Sequence, residues 1–409
     1  MRTLVLLIVF FSVAIVFSAC KKQNNEIVDL KLTTQQKNMV VSGNHFAFNM
    51  LREVSESETA PKNIMISPLS INFALAMTAN GAKNNTLSQM LTTMDFEGYE
   101  MEDFNEYFRY LKSELVALDP RVELSIANSI WYRNNFTVLQ SFLDVNQNYY
   151  DAEVASLDFS SGDALNTIND WVNDETHGKI ERILEEIGPD MVMFLINAVY
   201  FYGEWKYEFE ESATYDQPFY LQGGGQIDVS MMHQEAEMKY YFSDEVAIAE
   251  LPYGQGNFVM DVILPPIEQT AAELVSTLDS EKWTQWQNGL YTAKVSLGMP
   301  RFEFSYEKTL NDMLIALGMN DLFDSGLADL SGINGTGGLF VSEVKHKTFI
   351  SVDEKGTEAA AVTSVGVELT SVDPGVVYLT LDRPFVFIIR EVTTGAILFS
   401  GIVSNPVAE

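Results

Sequence analysis

The chain has 409 residues, with 25 Lys plus Arg against 57 Asp plus Glu, a formal charge of −32. Hydrophobic residues at 47% and charged residues at 20% give the balance of a folded globular protein and exclude disorder as the main state. The acidity argues against a nucleic-acid partner, because phosphate binding needs a basic face, and against adsorption to anionic lipid. Cys20 is the single cysteine, so no intramolecular disulfide can form and stability rests on packing. The four histidines are His45, His177, His233 and His346. HExxH, GxSxG, Walker and CxxC patterns are absent, which thins the case for a metalloenzyme or a Ser-His hydrolase.

The chain opens as an export address. Arg2 precedes an apolar run from Leu4 to Phe17, and Ser18-Ala19-Cys20 follows. The run is short for a membrane span. A cysteine directly after small residues resembles a bacterial lipobox, which implies lipidation of Cys20 and cleavage before it. The alternative is an ordinary signal with an incidental cysteine. Residues 1–19 are thus expected to be a signal peptide and residues 20–32 a lipidated tether, with the acyl chains supplying membrane affinity.

Residues 33–56 have the pattern of a helix with Met39, Phe46, Met50 and Val54 on one face. Ser67-Pro68 is a helix start, Ser as N-cap and Pro in the first turn, and the apolar run 69–77 behind it suits a helix buried all round. Residues 103–116 and 163–175 are amphipathic. Strands are expected at 122–132, 192–202, 238–242, 246–251, 258–264 and 294–304. A helix is expected at 308–318, ending on Gly318, and a strand at 339–352. Strands at 385–390 and 397–403 flank Thr393-Thr394-Gly395, a hairpin signature. Helices come first and strands later, with no repeat and no Pro/Gly-rich linker. The expected class is α+β with antiparallel sheets in one large domain.

Residues 354–380 stand apart. They run EKGTEAAAVTSVGVELTSVDPGVVYLT between two strongly patterned strands, a length that in a compact domain is normally functional or disordered. At the strand period of two, Thr357, Ala359, Ala361, Thr363, Val365, Val367 and Leu369 share one face, and all are small or apolar. Glu358 and Glu368 fall on the other face with Ala360. A segment written as a strand occupies the place of a connection, and such conflicts between levels cluster at functional sites. The plainer alternative is a strand in a hairpin.

This segment resembles the hinge and reactive loop of a serpin: an acidic residue, a variable one, then Gly-Thr-Glu-Ala-Ala-Ala, here Glu354, Lys355, Gly356, Thr357, Glu358, Ala359, Ala360 and Ala361. The resemblance continues in order along the chain. It includes residues 63–71 (NIMISPLSI), Ala127 to Trp131, residues 168–180, Asn197 to Phe201 with Gly203 and Trp205, residues 328–333, Asp382-Arg383-Pro384-Phe385 and Phe399-Ser400-Gly401. It implies a serpin fold, a single large domain of residues 33–409 with three β-sheets, a helical N-terminal half and an exposed reactive loop at 354–380. It implies a suicide inhibitor. A serine protease attacks the loop and forms an acyl-enzyme, and the cleaved loop then inserts as a strand into sheet A. Small side chains at Thr357, Ala359 and Ala361 present no charge to the sheet, which favours an inhibitory member. Seventeen residues from Glu354 to Thr370 extend roughly 55 Å at about 3.3 Å each, enough to cross a domain.

By the family's spacing the scissile bond is Thr370-Ser371, with Leu369-Thr370 and Glu368-Leu369 as alternatives. No Lys or Arg occurs from Thr357 to Thr380, so a trypsin-like pocket is a poor fit. Elastase-like and subtilisin-like serine proteases suit the apolar sequence, and papain-like cysteine proteases are secondary candidates. The resemblance places Ser67, Ser70, Asn197 and His346 in the shutter beneath sheet A, and Trp205 and Glu354 in the breach where insertion starts. For His346 a packed core histidine is favoured over a hydrogen-bond switch and over a catalytic base, because no nucleophile motif accompanies it. Within 103–116 the acidic Asp103, Glu106 and Glu114 oppose Arg109 and Lys112, so no heparin site is expected. A monomer with no cofactor and no metal, exported and lipid-anchored to the outer membrane or cell surface, is the expected state. The other readings are a non-inhibitory serpin cleaved as substrate and a surface lipoprotein that binds through static loops.

Overall fold

The computed structural model describes residues 27–357 and 375–408. The reactive-bond candidates Glu368, Leu369, Thr370 and Ser371, the hinge residues Glu358, Ala359, Ala360 and Ala361, and Cys20 lie outside the described residues. Helices and short strands alternate first: α1 (Thr34–Ser57), β1 (Ile64–Ile66), α2 (Pro68–Ala79), α3 (Asn84–Thr93), α4 (Met101–Ala117), β2 (Val122–Arg133), α5 (Gln140–Tyr150), β3 (Glu153–Leu157), α6 (Gly162–Glu175) and β4 (Met193–Glu204). Then come β5 (Tyr215–Tyr220), β6 (Gln226–Phe242), β7 (Ala247–Tyr253), β8 (Phe258–Leu264), α7 (Ala271–Ser276), α8 (Ser280–Gly289), β9 (Tyr291–Pro300) and β10 (Phe302–Thr309). The chain finishes with α9 (Asn311–Ala316), α10 (Ser331–Asn334), β11 (Lys345–Val352), β12 (Gly356–Thr357), β13 (Val376–Thr380), β14 (Phe385–Glu391) and β15 (Ile397–Val403).

Thr33 caps α1 in a reciprocal capping box with Gln36, and Ser67 caps α2 with Pro68 in the first turn, as the sequence indicates. All of α2 but Ala74 is buried. Among the described residues the strands form two hydrogen-bonded sheets. One runs β10-β11-β12-β4-β2-β3; the other runs β1-β15-β14-β8-β7-β6-β9-β13, with β5 on β6. Three sheets were expected. The last two are continuous because β6 is long enough to pair with β5, β7 and β9 along its length.

Four expectations are corrected. The strand expected at 294–304 is two strands in different sheets, broken between Pro300 and Phe302. The helix expected at 308–318 is short, because β10 continues to Thr309 and α9 begins at Asn311. The strand expected at 339–352 is confined to Lys345–Val352. The expected tether packs at its end: Leu30 and Leu32 are buried, and the Val28 amide donates to Asn257 Oδ1 at 2.7 Å.

A hinge seated between two strands

The site is assembled at the top of the six-stranded sheet. β12 is two residues long and sits between β11 and β4, with Thr357 opposite Val352 on one side and Gly203 on the other. Only glycine fits the first of these positions: a Cβ on Gly356 would lie 2.1 Å from the Gly203 carbonyl oxygen and 2.8 Å from Glu204 Cα. Thr357 is buried, and its Oγ1 shares a hydrogen bond with the Tyr253 hydroxyl at 2.6 Å. Tyr253 in turn stacks on Trp205, with ring centroids 4.4 Å apart and planes 14° from parallel.

Trp205 grips the approach to the hinge from both ends. Its amide donates to the Lys355 carbonyl at 2.7 Å, and its indole Nε1 donates to the Asp353 carbonyl at 2.9 Å. The Asp353 carboxylate accepts from the Lys355 amide at 2.9 Å, which fixes the turn into β12. Glu354 is buried and bound bidentately by Arg301, whose Nε lies 2.8 Å from each carboxylate oxygen. The Thr214 hydroxyl also donates to Glu354 Oε1. Burial alone would push the Glu354 carboxyl up; the bonds from Arg301 and Thr214 and the Arg301 charge outweigh it and hold the group below its ordinary value.

Below β12 the sheet is open. Among the described residues β4 and β11 are joined by β12 alone, and a cavity of about 420 Å³ lies between them. Its lining includes β4 residues 193–199, β11 residues 345–348 and the buried helix α2. The expected shutter residues surround this cleft. The Ser67 amide donates to His346 Nε2 at 3.0 Å, and the Ser67 hydroxyl donates to the Leu398 carbonyl at 2.8 Å. The Ser70 amide donates to Ser67 Oγ at 3.2 Å. Burial pushes the His346 ring down to about 4, so at neutral pH it is an uncharged acceptor at Nε2.

Asn197 lines the same cleft from β4, yet it does not join this group. Its Nδ2 donates to Asn128 Oδ1 at 2.8 Å and to the Ala127 carbonyl at 3.2 Å. Its buried Oδ1 has no partner among the described residues. The structure therefore gathers Ser67, Ser70 and His346, and separately Trp205, Glu354, Gly356 and Thr357. Three residues that hold the second group in place were not singled out in the sequence: Arg301, Thr214 and Tyr253. Arg301 carried a weak signal, a cation between the apolar Met299-Pro300 and Phe302 of the expected strand. Thr214 carried none.

The family of serpins (serine protease inhibitors) matches residues 41–406. The chain is a serpin. Leukocyte elastase inhibitor of Equus caballus is 36% identical over 375 residues, covering 88% of this serpin and 98% of the relative. Antithrombin-III of Mus musculus is 33% identical, covering 89% of this chain and 81% of that one. Among solved structures, native tengpin, a thermophilic serpin, superposes with a TM-score of 0.83 at 32% identity, over 93% of this chain and 96% of tengpin. Thyroxine-binding globulin complexed with thyroxine gives 0.81 at 29% identity, over 91% and 100%. The serpin fold and the single large domain are thus established. In this serpin the 420 Å³ cleft lies directly in line with the seated hinge.

Proposed function

We propose that this serpin is a suicide inhibitor of serine proteases with elastase-like or subtilisin-like specificity, with papain-like cysteine proteases as secondary targets. Its bait bond is Thr370-Ser371. The observation that carries the reading is the state of the six-stranded sheet. Gly356 and Thr357 of the hinge are already a strand between β11 and β4, and both of these strands line a cleft of about 420 Å³ below them. A strand entering there satisfies two rows of backbone groups at once, which supplies a driving force for translocation. The relatives named for elastase inhibition support the choice of target class, as does the absence of Lys and Arg from Thr357 to Thr380.

The same proposal holds the chain at the cell envelope through a lipid on Cys20, after export directed by residues 1–19. Support for this part is the sequence Ser18-Ala19-Cys20 behind an apolar run. The chain is no enzyme in this reading, because the protease supplies the nucleophile and the serpin supplies the trap.

The test mixes the full chain with an elastase, a subtilisin, a papain-like protease and trypsin, and resolves the products on denaturing gels. The expected result is a heat-stable covalent band with the first two and a released peptide whose mass begins at Ser371. Cleavage without a covalent band for every protease would replace this reading with that of a non-inhibitory substrate.

A further inference from the structure

The end of the cleft away from β12 carries accessible sulfur. Among the described residues every methionine is buried except Met101, Met191 and Met193. Met191 and Met193 both line the cleft. They take opposite sides of the sheet: Met191 packs with the cluster of Trp131, Ile168 and Val172 under α6, and Met193 packs against the main core. The Ser342 hydroxyl donates to Met191 Sδ at 3.3 Å. Ser342 stands just before β11 and Met191 just before β4, so this contact clasps the two edges together. Both halves of the clasp are held. The Ser342 carbonyl accepts from Asn311 Nδ2 at 2.8 Å, and the Met191 amide donates to the Gly188 carbonyl at 3.1 Å.

A thioether is soft, apolar and easily repacked, so it offers little resistance to a strand that fills the cleft. Oxidation reverses this. Hydrogen peroxide transfers one oxygen to the sulfur: the S–O bond forms as the O–O bond breaks. The proton on the transferred oxygen passes to the leaving oxygen, which departs as water. Sulfur is oxidised by two electrons and the peroxide is reduced. The sulfoxide oxygen is a strong acceptor beside a hydroxyl that already points at the sulfur, so the clasp tightens. It is also a dipole that an entering strand would have to bury. The bait offers no competing target, because Thr357 to Thr380 contains no Met, Cys or Trp.

We propose that Met191 and Met193 form an oxidation site, and that their conversion to sulfoxides by a hydroperoxide bars the cleft to an entering strand and turns the inhibitor into a substrate. This rests on the reading that the cleft receives the cleaved loop. In the test the full chain is treated with dilute hydrogen peroxide, mapped by peptide mass, and mixed with an elastase. Met191 and Met193 should each gain one oxygen before the buried methionines do. The ratio of cleaved chain to covalent adduct should rise about five-fold or more. Methionine sulfoxide reductases should restore it. Met191→Leu/Met193→Leu, compared with itself before and after peroxide, should hold its ratio, while Met101→Leu should respond as the wild type does. An unchanged ratio in wild type oxidised at both positions overturns the site, and so does an equal rise in the double leucine variant. Untreated chain that forms no adduct and gains no melting temperature when its loop is nicked overturns the reading of the cleft instead.

Discussion

Arg301 is the residue that keeps a buried carboxylate tolerable at the mouth of the sheet. Glu354 has lost its water and recovers three bonds from the Arg301 guanidinium, two from Nε and one from Nη2, and one from Thr214. Arg301→Ala leaves that charge short of donors and should destabilise the native state by about 1–3 kcal/mol, with Arg301→Lys recovering part of it. Equal urea midpoints for wild type and Arg301→Ala would refute this. His346 makes the opposite kind of statement, because it must stay neutral. Its folded pKa of about 4 lies below the ordinary 6.5, so the unfolded chain takes the proton first. Its contribution is complete above about pH 6.5, falls as the pH drops, and is gone below about 4, at most about 3 kcal/mol in all. His346→Gln should flatten the loss of stability between pH 7 and pH 4.5. The comparison is variant against wild type, so that Asp261, which burial raises to about 6, cancels. Parallel pH profiles would show that His346 does not titrate with unfolding.

At the scale of elements, the two-residue β12 depends on a glycine. The Cβ of a Gly356→Ala variant would fall 2.1 Å from a backbone oxygen, and neither strand can yield that much without losing its pairing. The hinge should unseat. Hydrogen exchange at residues 353–357 should rise, and attack by protease should yield more cleaved chain and less adduct; unchanged exchange would show that the sheet accommodates the methyl. The N-terminal strap is a second element with a measurable weight. A chain starting at residue 33 loses the burial of Leu30 and Leu32 and leaves Asn257 Oδ1 without the Val28 amide. It should be about 2–4 kcal/mol less stable than a chain starting at residue 27, read from urea midpoints. The strap and the hinge differ in how legible they were. The hinge was visible because Gly356-Thr357 and the small residues after it contradict their place in a connection. The strap was read as tether because Val28, Leu30 and Leu32 alternate with charged Asp29 and Lys31, and three apolar residues are too few for a period to emerge from a polar stretch. The continuous strand expected at 294–304 failed for a related reason. The alternation slips by one residue there, from Val295, Leu297 and Met299 to Phe302 and Phe304, where the chain leaves one sheet for the other, and so short a slip is easily read as one strand. Periodicity reports which face a residue takes, not which sheet it joins.

Across the whole molecule, the fold class and the hinge followed from local pattern and resemblance, while the cleft did not. Its existence depends on β4 and β11, about 150 residues apart in sequence, being held apart by α2 below and by β12 above. No local feature encodes that separation. It has a thermodynamic consequence that one experiment measures. Both facing edges carry backbone groups that a third strand would pair, over about seven residues on each side. At about 1 kcal/mol net per hydrogen bond, filling the cleft is worth on the order of 10 kcal/mol. Unfolding entropy near 2.1 cal/mol/K per residue turns that into a rise in melting temperature of about 10 °C or more for a chain of this length. The loop is the segment placed to fill the cleft, because Thr357 already sits at its upper end. Nicking the chain between Thr370 and Ser371 frees the loop from β13, so the nicked chain should melt at least about 10 °C above the intact one. An unchanged melting temperature would mean that the freed strand stays outside, and the cleft would then have no part in the capture of a protease.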